Sequence, residues 1–298
     1  MNKDIPQSKT AFLETKEYRR FAEFCDACRQ NRYIGLCHGF PGVGKTISAW
    51  QYANWQLIQP YFPDRFYLTY RSVYLEWYIM GKITDTLATN LVPFPQEIRK
   101  CQSILYTPEV SNTPKRVEQE IRAVRLALSY VVDTAQFGVP QESAEEIAPR
   151  RVVPDPTDLI IIDEADRLKT ASLEQIRDIY DRGNIGVVLI GMPGLEKRLS
   201  RYPQLYSRVG FVHEFRSLNT DESRLFLEQQ WSTWGLTLNP ESVIEIEAIA
   251  AIIRITKGNF RLLNRLLAQI ERITDINALR AVSKEVVEIA RQQLVIGS

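Results

Sequence analysis

The eight residues GFPGVGKT, Gly39 to Thr46, constrain this chain more than any other stretch. They match GxxxxGK[ST] at every defined position, and they lie between a short apolar run, Tyr33 to Cys37, and the helical pattern TISAWQYANWQL, Thr46 to Leu57. A preceding strand and a following helix are the context that gives this motif its meaning. Glycines let the backbone wrap until its N–H groups, with the helix N-terminus, face a chain of phosphates. Gly39, Phe40, Pro41, Gly42, Val43 and Gly44 are the expected cradle; Lys45 reaches the β and γ phosphates, and the Thr46 hydroxyl binds magnesium. A nucleoside triphosphate with Mg2+ is the expected ligand.

A second run, LIIID at 159–163, is too apolar for a half-exposed strand and belongs in the middle of a parallel sheet. It ends in two carboxylates. Asp163 is placed to hold the magnesium, through water, and Glu164 to polarise the attacking water. A helix over 172–181, an apolar strand IGVVLIG at 185–191, a short strand FVHEF at 211–215 and a further strand candidate, RFYLTY at 65–70, complete the alternation. Strands alternating with helices predict an α/β fold, a parallel sheet covered on both faces.

The pattern changes at both ends of this core. From Thr15 to Asn31, Tyr18, Phe21, Phe24, Cys25 and Cys28 recur at helical spacing, so an amphipathic helix precedes the sheet. Beyond Leu218 helix follows helix: Thr220 stands before Asp221 and Glu222 as an N-cap would, Asn239-Pro240 is a helix start, and Ser283 caps a final helix. Phe260, Leu263, Leu266, Leu267 and Ile270 line one face. Three parts are therefore expected: an N-terminal helical arm at 1–31, a nucleotide-binding core at 32–217 with a long insert at about 71–157, and a small all-helical domain at 218–298. Within the insert, helices are expected at 74–90 and 115–136, and the proline-rich, charged stretch 138–157 reads as an exposed loop.

Composition narrows the function. With 298 residues, the chain has room for an enzyme core and an accessory piece. It has no run of 18 or more apolar residues, and MNKDIPQSKT has no apolar segment of the signal-peptide kind, so a cytoplasmic protein without a membrane span is expected. A lone nucleic-acid-binding domain is usually conspicuously basic, and nothing in a formal net charge of +1 argues for DNA, so any DNA contact is expected from a local patch repeated around an assembly. Cys25 and Cys28 form a CxxC, but neither a second cysteine pair nor a histidine pair accompanies it. Two thiols one turn apart on a helix is the simpler reading.

GFPGVGKT, IIIDEADRLK, VVLIGMPGLEKRL, LYSRV and TKGNFRLLNRLL, in this order and spacing, resemble an AAA+ ATPase, and more narrowly the TnsC, TniB and MuB group of transposition regulators. The resemblance is carried by 33–55 and 159–218 with the GNFR helix after them; 71–157 matches weakly. It implies a P-loop NTPase αβα core with a helical lid, ATP and Mg2+ as ligands, and an ATPase in which Glu164 and Lys45 are catalytic. It also implies a homo-oligomer, a ring or helical filament, on double-stranded DNA, with a transposase and target-selection proteins as partners.

Further residues follow from the resemblance. Arg208, just before the last core strand, matches an arginine that reaches the neighbouring subunit's γ-phosphate, with Arg201 as its competitor; Arg261 of GNFR occupies a second-sensor position, with Arg265 one turn later. Where such proteins place a polar first sensor, this chain reads Gly191-Met192, and a thioether is a poor hydrogen-bond partner, so slow turnover is expected. Lys169, directly after DEADRL, matches a channel-facing DNA contact, and Lys115 and Arg116 are further candidates. Two other functions stay open: a protein-only nucleotide switch, in signalling or secretion, and a helicase loader or replication initiator.

Overall fold

The computed structural model describes residues 12–62, 79–83, 85, 95–138, 153–233, 242–279 and 281–294. The chain divides into two compact units, one of Phe21–Gly39 with Thr46–Glu214 and one of Met1–Arg20, Phe40–Lys45 and Phe215–Ser298.

In chain order the first unit carries α1 (Lys16–Asn31, from Phe21 on), β1 (Ile34–His38), α2 (Lys45–Tyr52, from Thr46 on), α3 (Trp55–Ile58), β2 (Ser103–Tyr106) and α4 (Pro114–Phe137). There follow β3 (Leu159–Ile162), α5 (Thr170–Gly183), β4 (Gly186–Gly191), α6 (Leu195–Leu199), α7 (Pro203–Tyr206) and β5 (Val209–Glu214). The five strands make one parallel sheet in the order β2-β3-β4-β1-β5. β2, β3 and β4 are buried at every residue and β1 at all but His38, which explains why their sequences lack a polar alternation. β5, at the edge, alternates between half-buried and exposed and begins two residues before the expected Phe211.

The sheet holds a strand that the sequence reading omits. β2 is only SILY, with a serine and a tyrosine at its ends, too short for apolar periodicity to detect. Its pairing with β3, Ser103 opposite Leu159 through Tyr106 opposite Ile162, is a tertiary fact. The expected strand at 65–70, most of the expected helix at 74–90, most of the loop at 138–157 and the helix start at Asn239 lie outside the described residues.

Close packing of α1 on β1 depends on a glycine. A β-carbon at Gly35 would collide with the Cys28 sulfur and lie 2.6 Å from the Phe24 ring. Phe24 in turn stacks on His213 of β5, with ring centroids 5.4 Å apart. The CxxC is thus a packing element. Cys25, Cys28, Cys37 and Cys101 are all buried, and burial pushes the Cys28 thiol up to about 12 and the Cys101 thiol to about 11. At pH 8 the Cys28 thiolate fraction is then roughly 10⁻⁴, so this sulfur is a poor nucleophile. Ellman's reagent at pH 8 is expected to leave Cys25, Cys28 and Cys101 unmodified in the native protein and to titrate them in denaturant; stoichiometric native reaction would contradict this packing.

α4 shows why the 115–136 helix is legible in the sequence. Thr113 caps it by accepting a hydrogen bond from the Arg116 amide (3.3 Å), Pro114 fills the first turn, and Val117, Ile121, Val124 and Leu128 are buried at helical spacing. Gly138, at φ 85°, ends it.

The second unit contains α8 (Thr220–Thr233), α9 (Val243–Thr256), α10 (Phe260–Ile276) and α11 (Lys284–Gln292) around a core that includes Leu227, Trp231, Ile252, Leu263, Leu266 and Val287. The cap of α8 is Asn219, not Thr220. Its side chain accepts from the Glu222 amide (2.9 Å) while Glu222 accepts from the Asn219 amide (3.1 Å), a reciprocal capping box. The second Glu222 oxygen takes the Lys16 amide at 2.7 Å, tying the start of α1 to α8. No helix among the described residues is long and apolar enough to cross a membrane.

Candidate nucleotide-binding site

Two carboxylates stand at the end of β3. Asp163 is 5% exposed; one of its oxygens accepts from the Glu164 amide (2.9 Å) and the other from the Thr46 hydroxyl (2.6 Å). Thr46 lies in the first turn of α2, directly after the loop that follows β1, and β4 is intercalated between β1 and β3. Helix start and strand end therefore meet over β4, at the carboxyl edge of the sheet, where open parallel sheets bind their ligands. A hydroxyl and a carboxylate converging in this way are hard oxygen donors of the kind magnesium takes. The residues present fit the ion.

The chain turns sharply after Asp163. Glu164 adopts a left-handed conformation, φ 52°, which costs a non-glycine residue on the order of 1 kcal/mol. Its carboxylate is ion-paired with Arg167, three residues on in a short 3₁₀ turn, where side chains at that spacing eclipse. Arg167 is itself anchored, donating to the Pro108 carbonyl (3.0 Å), while Asn112 donates to the Arg167 carbonyl (3.0 Å) and accepts from the Ser172 hydroxyl (2.7 Å). Arg167 and Asn112 are absent from the sequence-based candidates. A basic residue three positions after Glu164 is the only local signal that could have found either.

Phe40 to Lys45 pack with the helical unit. Gly42 and Gly44 take φ of 83° and 112°, backbone that side chains rarely adopt, and the Lys45 ammonium donates to the Phe40 carbonyl at 2.9 Å.

A strand-to-helix glycine loop after β1 and an aspartate–glutamate pair directly after β3, in a sheet of order β2-β3-β4-β1-β5, define the architecture. The family described as AAA domain matches residues 28–199. The chain belongs to the AAA domain family. A protein of Staphylococcus aureus described as a potential ATP-binding protein is 45% identical over 293 residues, 96% of this chain and 97% of that one. Among solved structures, the Thermotoga maritima RuvB Holliday junction branch migration motor superposes with a TM-score of 0.51 at 14% identity, covering 94% of this chain and 70% of that one. The Aeropyrum pernix ORC2 protein, in ADPNP and ADP complexes, gives 0.52 at 13%, covering 97% and 70%. This is an AAA+ ATP-binding protein with the α/β fold expected.

The remaining candidates of this AAA protein lie in varied surroundings. Arg208, immediately before β5, is held in its own chain by a two-pronged ion pair with Asp181 of α5, at 2.5 and 2.8 Å, and donates to the Gln204 carbonyl. To reach a neighbouring subunit it must leave Asp181. Arg201 is exposed. At the end of β4, Met192 is 42% exposed, and its amide donates to the Asp166 carboxylate (2.7 Å), which also occupies the space a β-carbon on Gly191 would need. The polar group at this strand end thus comes from the residue two after Glu164. Lys169, at the N-cap of α5, is exposed, as is Lys115; Arg116, by contrast, is ion-paired with Glu109 (2.7 Å) and Glu120 (2.9 Å). Those carboxylates compete with any phosphate for its guanidinium. Arg261 and Arg265 are exposed on α10, with the Arg261 amide donating to the Gly42 carbonyl at 3.1 Å.

Proposed function

We propose that this AAA protein is an ATP-hydrolysing, oligomerising, DNA-binding regulator of transposition: it assembles on target DNA with ATP bound, recruits or activates a transposase, and disassembles on hydrolysis. The observation that carries the hydrolytic half is the 2.6 Å contact between the Thr46 hydroxyl and buried Asp163, with Glu164 next in the chain. Magnesium, held by Thr46 and Asp163, would neutralise phosphate charge. Lys45 binds the β and γ phosphates. Glu164 orients the attacking water and takes its proton. Arg208, once released from Asp181, supplies a positive charge to the neighbouring subunit's transition state, so that turnover depends on assembly. Arg261 contacts the γ-phosphate and links nucleotide state to the helical unit.

The DNA half rests on the resemblance to TnsC, TniB and MuB and on the exposure of Lys169. A chain of net charge +1 holds duplex DNA weakly on its own, whereas an ATP-bound array repeating Lys169 adds one phosphate contact per subunit. Binding to duplex DNA with a non-hydrolysable ATP analogue is therefore expected to be cooperative and steeply salt-dependent, with little sequence preference. Lys169→Ala should flatten the slope of log K against log salt by about 0.9 for each phosphate the side chain no longer neutralises. An unchanged slope would remove Lys169 from the interface. Failure to bind DNA or to form rings or filaments with any nucleotide would favour the protein-only switch.

A further inference from the structure

We propose that Asn259 is a positioning residue of the phosphate-binding loop: it holds the loop carbonyls outward so that the loop amides point toward the phosphates. The inference rests on the reading of 39–46 as the triphosphate cradle. Asn259 does two things at once. Its side-chain oxygen accepts from the Leu262 amide (3.2 Å), capping α10, and its side-chain nitrogen donates to the Pro41 carbonyl (2.8 Å). Two residues on, the Arg261 amide donates to the Gly42 carbonyl (3.1 Å).

Planarity of the peptide turns these two contacts into a constraint on the ligand face. In a trans peptide the C=O of one residue and the N–H of the next point in opposite directions. Capture of the Pro41 oxygen therefore aims the Gly42 amide away from α10, and capture of the Gly42 oxygen does the same for Val43. These are amides that a phosphate cradle needs to converge.

The platform making the contacts is stiff. Phe260 packs edge-on against Phe226 of α8 (ring centroids 5.3 Å apart), and the preceding Gly258 takes φ 71°, pressed so closely on the Leu218 backbone that no β-carbon fits. The approach also accounts for Gly42, a position GxxxxGK[ST] leaves open. A β-carbon there would lie 2.5 Å from the Asn259 side-chain oxygen and 2.8 Å from the Arg261 β-carbon.

Asn259→Ser separates the two roles, because a serine hydroxyl still caps a helix, carries no charge toward the phosphates and is too short to reach Pro41. The variant is expected to unfold at the wild-type temperature within about 2 °C, since the cap survives. It should bind a fluorescent ATP analogue about three- to tenfold more weakly, the loss of one neutral hydrogen bond, and exchange the Arg261 amide, which donates to the Gly42 carbonyl, faster without nucleotide. Asn259→Ala, which loses the cap as well, should fall in both stability and affinity. Wild-type affinity and exchange in Asn259→Ser, with Lys45→Ala unable to bind, would overturn the positioning role alone. Absence of binding by the wild-type chain would overturn the cradle reading and this inference with it.

Discussion

Lys45→Ala is expected to weaken ATP binding by on the order of 100-fold or more, because the cradle loses the one side-chain cation its motif provides and with it charge-assisted bonds to two phosphates. The fold should survive. Lys45 sits at the start of α2, where alanine is a good helix former, and its hydrogen bond to the Phe40 carbonyl is exposed to water. Titration with a fluorescent ATP analogue beside a thermal melt checks both halves. Wild-type affinity in a folded Lys45→Ala protein would remove the triphosphate from this loop.

Glu164→Gln should leave ATP binding intact and lower phosphate release by about 10²- to 10⁴-fold, the range contributed by a general base. An amide keeps the shape of the carboxylate but cannot take a proton from water. The substitution also removes the charge that Arg167 pairs with; both groups are about a third exposed, so the expected change in stability is small. The measurement is single-turnover hydrolysis with nucleotide affinity determined in parallel. A variant that hydrolyses at the wild-type rate would place the base elsewhere. One that loses nucleotide binding would mean that Glu164 acts chiefly through the turn it occupies after β3.

Arg208 must change partners if the chain assembles as proposed. Its bidentate pair with Asp181 is the geometry in which guanidinium and carboxylate bind best. An interface that recruits Arg208 must offer at least as much. The γ-phosphate of a neighbouring subunit is the competitor the resemblance supplies, which makes the Asp181 pair a resting position for the arginine under the proposed function.

Local signals account for most of what is readable. IGLC, LIII and GVVLIG are legible as strands because burial on both faces demands unbroken apolar runs, and α4 because four buried residues recur at its period. β2 escapes notice because four residues carry too little pattern. The α8 cap is expected one residue late because Asn219, Thr220 and Asp221 are all good capping residues, and only the reciprocal bonds with Glu222 choose among them.

The sequence by itself determined where the glycine loop of residues 39–46 and the Asp163–Glu164 pair fall, since each depends on residues within a few positions of one another. Only the tertiary structure decided that Thr46 meets Asp163 across 117 positions, that Arg208 is held by Asp181, and that Pro41 is held by Asn259 across 218. The physical reason is the same in each case. A hydrogen bond between distant residues is set by strand order and helix placement, and those follow from the burial of the whole core rather than from any local pattern in the chain.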